Sequence, residues 1–382
     1  LVGCGMNQSR LDPCTFHLKD ANGKLRGALA IHVDDLVLGG DSYFDSHVVE
    51  PLKKKYPFKH WHDGSGDFLG KKVKQLEDFS IVISQKDYAG SVTPIKISRE
   101  RRKQKNSDID ENERTQMRAL LGEINWMTVC SRPDLSATCS LLQQKVNSAQ
   151  VEHLIECNKL VGLVRDFSHT EIRILPIEPK NVEFTVWSDA SWANAAERKS
   201  QGGFLIAMTD GKMSHNAWSR VSPLKWKSFK QDRQVASTLG AELLTVSRAL
   251  AETCWLRSMW SEAMCADYSL ERDAQMSCNF PVVVAVDSKP VYDHVHSQVV
   301  TIRDKRIAIE MLLVKQDVQK KNIVLKWIPT YQMIADPLTK PNAPKELLRR
   351  VIQEGKFVMC EDDTIKRWSG LKKFNDDEAV FG

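Results

Sequence analysis

The chain has 382 residues, 42% of them hydrophobic and 27% charged, with a formal net charge of +5. That is the composition of an ordinary globular protein with room for two or three domains and an ample core. The small positive charge permits a polyanionic partner without demanding one, and no apolar run approaches the roughly 18–20 residues of a membrane span.

In chain order, Leu25 to Asp41 reads as two apolar strands joined by a tight turn on Asp34-Asp35. Asp is a common turn residue, so that doublet has a bland reading. Against it, both strands are apolar enough for burial, and adjacent buried acids at a hairpin tip call for a metal. A helical stretch, Phe44 to Lys55, leads into two strand-like runs, Asp67–Gln75 and Phe79–Tyr88, expected to pair as a second hairpin. Lys71, Lys72 and Lys74 fit a solvated strand face more simply than a phosphate contact. Ser98 to Glu113 is almost wholly polar and is the best linker candidate. Met117 to Cys130 has helical spacing. Ser131-Arg-Pro-Asp-Leu135 then restarts the chain, with Pro133 in a first helical turn and an N-cap near Ser131. Helices follow over Asp134–Asn147 and Glu152–Ser168, with packing and capping roles for Arg132 and Asp134.

Val182 to Ser188 alternates like a half-buried strand, with Asp189 just after it. Gly202 to Gly211 is a second strand ending in an Asp-Gly turn. Lys212 to Arg220 is its partner, and Leu224-Lys-Trp-Lys-Ser follows a Ser-Pro turn. Thr238 to Cys265 has long 3.6-residue periodicity, and Glu242 in its first turns can point back at the sheet. Pro281 to Val286 is a near-continuous apolar run, hence a buried and parallel strand, with Asp287 at its carboxyl end. Helices Pro290–Ser297 and Arg306–Lys321, a strand Asn322–Pro329 and a helix starting at Asp336 complete this region. Four lone acids in apolar settings repel one another unless cations hold them ionised. Asp189, Glu242, Asp287 and Asp336 are therefore candidate ligands for Mg²⁺ or Mn²⁺, hard ions suited to carboxylates. Arg198, Lys199, Lys225, Lys227, Lys230 and Arg233 are candidate phosphate contacts, weighed against plain surface charge. The tryptophans, Trp187, Trp192, Trp218, Trp226, Trp255 and Trp260 among them, are expected in core or helix packing.

These motifs carry a resemblance. Gly3-Cys-Gly-Met-Asn-Gln-Ser-Arg-Leu-Asp-Pro-Cys-Thr-Phe16 followed by His32-Val-Asp-Asp-Leu36 resembles the palm of copia-type LTR retrotransposon reverse transcriptases. Phe-Leu-Gly near residue 69, Ser-Gln-x-x-Tyr88 and Arg-Pro-Asp-Leu135 fit the same family. Trp187-Ser-Asp-Ala-Ser-Trp192, Ser237-Thr-Leu-Gly-Ala-Glu-Leu243, Val286-Asp-Ser288 and Gln332-x-x-Ala-Asp-x-Leu-Thr-Lys340 resemble the four motifs of its ribonuclease H. The resemblance implies that Asp189, Glu242, Asp287 and Asp336 bind two catalytic ions, and that Asp34 and Asp35 match the polymerase aspartates. Two such ions, roughly 3.5–4 Å apart, would align the attacking water and stabilise the leaving oxygen. Departures are His32 in place of the usual Tyr, no His between Pro329 and Ile334, and no upstream palm aspartate.

The expected fold is α/β and α+β. A ribonuclease H-like mixed sheet flanked by helices spans 181–345, and a tail helix and acidic tail span 346–382. A partial reverse transcriptase palm and thumb (1–97) and a linker with a helical connection segment (98–180) precede it. The expected function is a retrotransposon reverse transcriptase/ribonuclease H fragment hydrolysing the RNA strand of RNA–DNA hybrids. DNA polymerase activity is expected only within a longer polyprotein, as the Met-less start Leu-Val-Gly-Cys-Gly suggests. The alternative is a catalytically decayed relic, at most a nucleic-acid binding module. Expected partners are RNA–DNA hybrid, RNA template and DNA, and the rest of the Pol polyprotein, with no membrane. Nine scattered cysteines without a C-x-x-C pair point to reduced, buried thiols in an intracellular protein, in a cytoplasmic particle or the nucleus.

Overall fold

The computed structural model describes residues 1–360 and 363–368; the acidic tail lies outside the described residues. Asn7–Gln8 (β1), Thr15–Lys19 (β2), Leu25–His32 (β3) and Asp35–Gly40 (β4) form an antiparallel sheet in chain order. The β3–β4 turn falls on Val33 and Asp34, and His32 pairs with Asp35. Burial of this tip, expected from the apolar strands, is not found: residues 32–35 are all exposed. The helical stretch from Ser42 to Lys55 packs at the base of the hairpin, where the buried Phe44 lies against Gly27 and Gly40, and leaves the tip in water.

The expected second hairpin is instead three strands, Ser65–Phe68 (β5), Lys71–Gln75 (β6) and Ile81–Ser84 (β7). Leu69 and Gly70 both take positive φ, 50° and 67°. That conformation reverses the chain in a two-residue turn inside what reads as one strand. Lys86–Ser91 is helical, not strand. The polar stretch after residue 98 is ordered. Ser98 caps a helix over Arg99–Lys103. Arg101 then bonds both oxygens of Glu113 and the Asp108 carbonyl. Asp110 and Glu113 form a capping box that starts the helix Glu111–Cys130 (α1).

Pro133–Leu135 is a short 3₁₀ turn, followed by Ser136–Gln143 (α2) and Val151–Asp166 (α3). Ser131 is not the cap: its hydroxyl donates to Gln85 at 2.7 Å. Arg132 and Asp134 pack as expected but also form an ion network. Asp134, fully buried, accepts from Arg132 and from Arg349, each at 2.9 Å. Ile172–Ile174 (β8) pairs with β7, so residues on both sides of position 98 share one sheet.

The largest sheet holds Glu183–Ser191 (β9), Gln201–Thr209 (β10), Ser219–Lys230 (β11), Val282–Val286 (β12), Ile323–Trp327 (β13) and Lys356–Phe357 (β14). Its order is β13-β12-β9-β10-β11-β14; β9, β10 and β11 are antiparallel, and β12 and β13 run parallel to β9. This is a mixed sheet flanked by helices, as expected for this region. One strand replaces two between 219 and 230. Ser222-Pro223 does not turn, because a bulge opposite Ile206/Ala207 absorbs the proline. On one face pack Thr238–Met264 (α4), Lys289–His296 (α5) and Lys305–Lys320 (α6), with Phe184, Val186, Leu243, Val246 and Met311 in the core. On the other, Trp187, Leu205 and Val283 meet Leu348 and Ile352 of Glu346–Glu354 (α7). With cover on both faces, β9 is buried on both sides from Glu183 to Ala190 rather than half-buried. Trp187 is fully buried, but Trp192, Trp218 and Trp255 are exposed. Of the cysteines only Cys139 and Cys157 are buried, where the apolar surroundings push both thiols up to about 12. No helix of the described residues is long and apolar enough to cross a membrane.

Candidate metal centre

The parallel pairing of β9 with β12 aligns Trp187 with Ala285. Two residues further along, Asp189 and Asp287 therefore stand side by side at the carboxyl ends of adjacent strands. Asp189 lies inside β9, not after it. Ser237 caps α4 by accepting from Gly240 N, which aims the first turns of the helix, and Glu242 with them, at that end of the sheet. One carboxylate oxygen from each of Asp189, Glu242 and Asp287 lies within 4.8 Å of the others.

Asp336 is drawn in differently. It opens a 3₁₀ turn, Asp336–Leu338, rather than a helix. The turn brings Thr339 and Lys340 back to the site. The Thr339 hydroxyl donates to Asp189 Oδ2. The Lys340 ammonium lies 2.7 Å from Asp336 Oδ1 and 3.3 Å from Asp189 Oδ1. Asp336 thus meets the trio through a lysine.

The electrostatics are those of crowded, dry acids. Burial, then Asp189 and Asp287, push Glu242 well above the usual carboxylate range. Burial and Asp189 raise Asp287. Burial and Asp189 push Asp336 up to about 7, against the pull of Lys340. For Lys340, burial works against the charge, but Asp189 and Asp336 outweigh it and hold the ammonium protonated. Glu242 Oε2 is buried and accepts no hydrogen bond from the described residues. An orphaned buried oxygen among converging hard donors fits a divalent ion, which would satisfy it and offset the repulsion.

Lys340 and Thr339 have no role assignable from composition. The spacing of four residues from Asp336 to Lys340 is the available hint, since i and i+4 meet on a helical turn. A second hint is Gly202-Gly203, since glycine inside a strand marks close backbone approach. Gly203 pairs with Asp189, and a Cβ there would stand 2.7 Å from Leu338 Cβ and 2.8 Å from Thr339 Cγ2. Gly203→Ala should push the 338–339 turn off Asp189, costing about 1–3 kcal/mol by overpacking. Urea denaturation measures that loss, and unchanged stability would refute the packing assignment.

The structure does not gather the basic candidates into one free field. Lys199 and Lys230 both pair with Glu197, Lys225 with Glu252 and Arg233 with Glu310. Burial and the nearby Arg248 lower Lys227. Arg198 is exposed, at a positive φ of 54°. The lysines of β11 stand two strands from Asp189, about 10 Å away across the sheet. Asp34 and Asp35 sit on another sheet and do not join the cluster.

No family model matches the chain. It is 24% identical over 357 residues to the retrovirus-related Pol polyprotein from transposon RE2 of Arabidopsis thaliana, which covers 89% of this chain and 22% of the relative. It is 21% identical over 371 residues to that from transposon TNT 1-94 of Nicotiana tabacum, covering 92% of this chain and 25% of the relative. The chain therefore spans about a quarter or less of the length of these curated relatives. Among solved structures it is similar to LC11-RNase H1 isolated from compost, with 15% identity, 42% of this chain, 94% of that chain and a TM-score of 0.28. It is also similar to the foamy viral protease-reverse transcriptase dRH in complex with double-stranded DNA, with 12% identity, 79% of this chain, 46% of that chain and a TM-score of 0.43. Homologues of this chain include the retrovirus-related Pol polyproteins of copia-type transposons.

Proposed function

We propose that residues 181–345 are a divalent-metal-dependent nuclease that hydrolyses the RNA strand of an RNA–DNA hybrid. The observation that carries this reading is the trio Asp189, Glu242 and Asp287, whose oxygens converge within 4.8 Å around an unpartnered buried carboxylate oxygen. Such a trio is unfavourable in itself and makes physical sense as a cation holder. Bound divalent ions would supply Lewis acidity at a phosphodiester and a water acidic enough to attack it.

The chain's own residues do the rest. β9 and β12 hold Asp189 and Asp287 on rigid adjacent strands, and Thr339 fixes the carboxylate orientation of Asp189. The burial of Asp189 and Glu242 keeps bulk water from screening the site. The choice of a hybrid substrate rests on the copia-type motifs around all four acids and on the Pol polyprotein homologues. A hybrid's wide minor groove and 2′-hydroxyls would mark the strand to cut. Within a longer polyprotein, Asp34 and Asp35 would belong to a polymerase site whose remaining carboxylate another segment would have to supply.

The test is hydrolysis of a labelled RNA–DNA hybrid by the full 382-residue chain. Cleavage of the RNA strand with Mg²⁺ or Mn²⁺, abolished by chelator, is the expected result. Hybrid binding that persists in chelator, with no cleavage at any metal concentration, would overturn the nuclease reading in favour of a decayed binding module.

A further inference from the structure

Lys340 stands where the proposed metal chemistry least wants a cation. Its ammonium lies between Asp189 and Asp336, at 3.3 and 2.7 Å. The backbone sets this up: the Lys340 and Thr339 amides both donate to the Asp336 carbonyl, at 2.9 and 3.0 Å, folding Lys340 back over the acid four residues earlier. Asp189 is 1% exposed and Asp336 15%, but the Lys340 side chain keeps 40% of its surface in solvent. The ammonium is thus seated in the site and has an open way out. It also leaves the four acids unequal. Asp189, Glu242 and Asp287 already converge, and Asp336 has a cation of its own.

We propose that Lys340 is a tethered counter-cation that competes with a divalent ion for Asp189 and Asp336. This rests on the metal-site reading above and deepens it. In the free protein the converged trio takes one divalent ion. Asp336 becomes available as a ligand only when the ammonium swings into solvent, so the second ion binds late and weakly. Two cations cannot share Asp336 Oδ1 at these distances, because a divalent ion beside an ammonium is repelled by twice a unit charge at a few ångströms. The same contact gives the lysine a purpose before loading. It offsets part of the repulsion among acids that have no other ion-pair partner among the described residues.

Mn²⁺ titration of the full chain without nucleic acid, followed by calorimetry and electron paramagnetic resonance, separates the possibilities. Wild type should bind one ion tightly. Lys340→Met should bind a second at least tenfold more tightly than wild type does, and Lys340→Arg should behave as wild type. In chelator, Lys340→Met should melt below wild type, and saturating Mn²⁺ should erase the difference. Should Lys340→Met not fold, selective ¹⁵N-lysine spectra of wild type decide the matter. A slowly exchanging Nζ resonance, absent from Lys340→Arg, should vanish at the second Mg²⁺ equivalent and not at the first. Equal stoichiometry and affinity in wild type and Lys340→Met, or loss of that resonance with the first ion, overturns the inference and leaves the nuclease reading standing. Failure of both proteins to bind any divalent ion overturns both.

Discussion

Asp189→Asn should reduce hydrolysis of the RNA strand by at least about 100-fold while the protein remains folded. Loss of a partner that merely orients a metal ligand costs 10–100-fold, so loss of a ligand at the centre of the trio should exceed the upper end. Asp189 is the acid the other groups depend on. It raises Glu242, Asp287 and Asp336, holds Lys340 and accepts from Thr339. The fold should survive because asparagine keeps an acceptor for Thr339, and Lys340 keeps Asp336. Removing one charge also relieves repulsion among buried carboxyls. Cleavage rates and melting temperature, measured together in Mg²⁺ and in chelator, check both halves. Wild-type activity in this variant would end the metal-centre assignment.

Asp134→Ala should destabilise the chain by about 3–5 kcal/mol, the cost of leaving buried charge unpaired. Asp134 is 0% exposed between Arg132 at 1% and Arg349 at 7%, and Arg349 also stacks 3.4 Å from the Phe167 ring. Without the carboxylate two guanidiniums lose their partner in the interior. The pH dependence follows in sign. Burial alone would raise Asp134, but Arg132 and then Arg349 outweigh it and hold the carboxyl below its ordinary value. Its contribution is therefore present above the unfolded value of about 3.9 and is lost as pH falls through the lower folded value. Urea midpoints at pH 7 and across the acid range measure this. Removing Lys72, whose 2.6 Å pair with Asp87 lies in water, should barely move the midpoint. A similar small effect for Asp134→Ala would refute the network's role.

Local patterns read well where periodicity was long or a run was wholly apolar. The α4 helix, and β12 with Asp287 at its carboxyl end, belong to this group. Patterns read poorly where one residue's backbone decided the outcome. Positive φ at Leu69 and Gly70 splits one strand into two, and a bulge lets Pro223 stay inside β11. The polar stretch after Ser98 looks like a linker because its order comes from caps and from Arg101, which bonds residues 7 and 12 positions away.

By itself the sequence singled out four acids, Asp189, Glu242, Asp287 and Asp336, by their apolar settings and by the copia-type motifs around them, and set the first three near strand and helix ends of one sheet. Only the tertiary structure decided how the acids differ. Three converge directly, while the fourth is held by Lys340, and the hairpin acids Asp34 and Asp35 stay exposed on a separate sheet. The physical reason is that repulsion, burial and ion pairing depend on distances of a few ångströms between residues such as Asp189 and Lys340, 151 positions apart. Those distances are set by packing, down to the bare Cα of Gly203 that lets Thr339 reach Asp189.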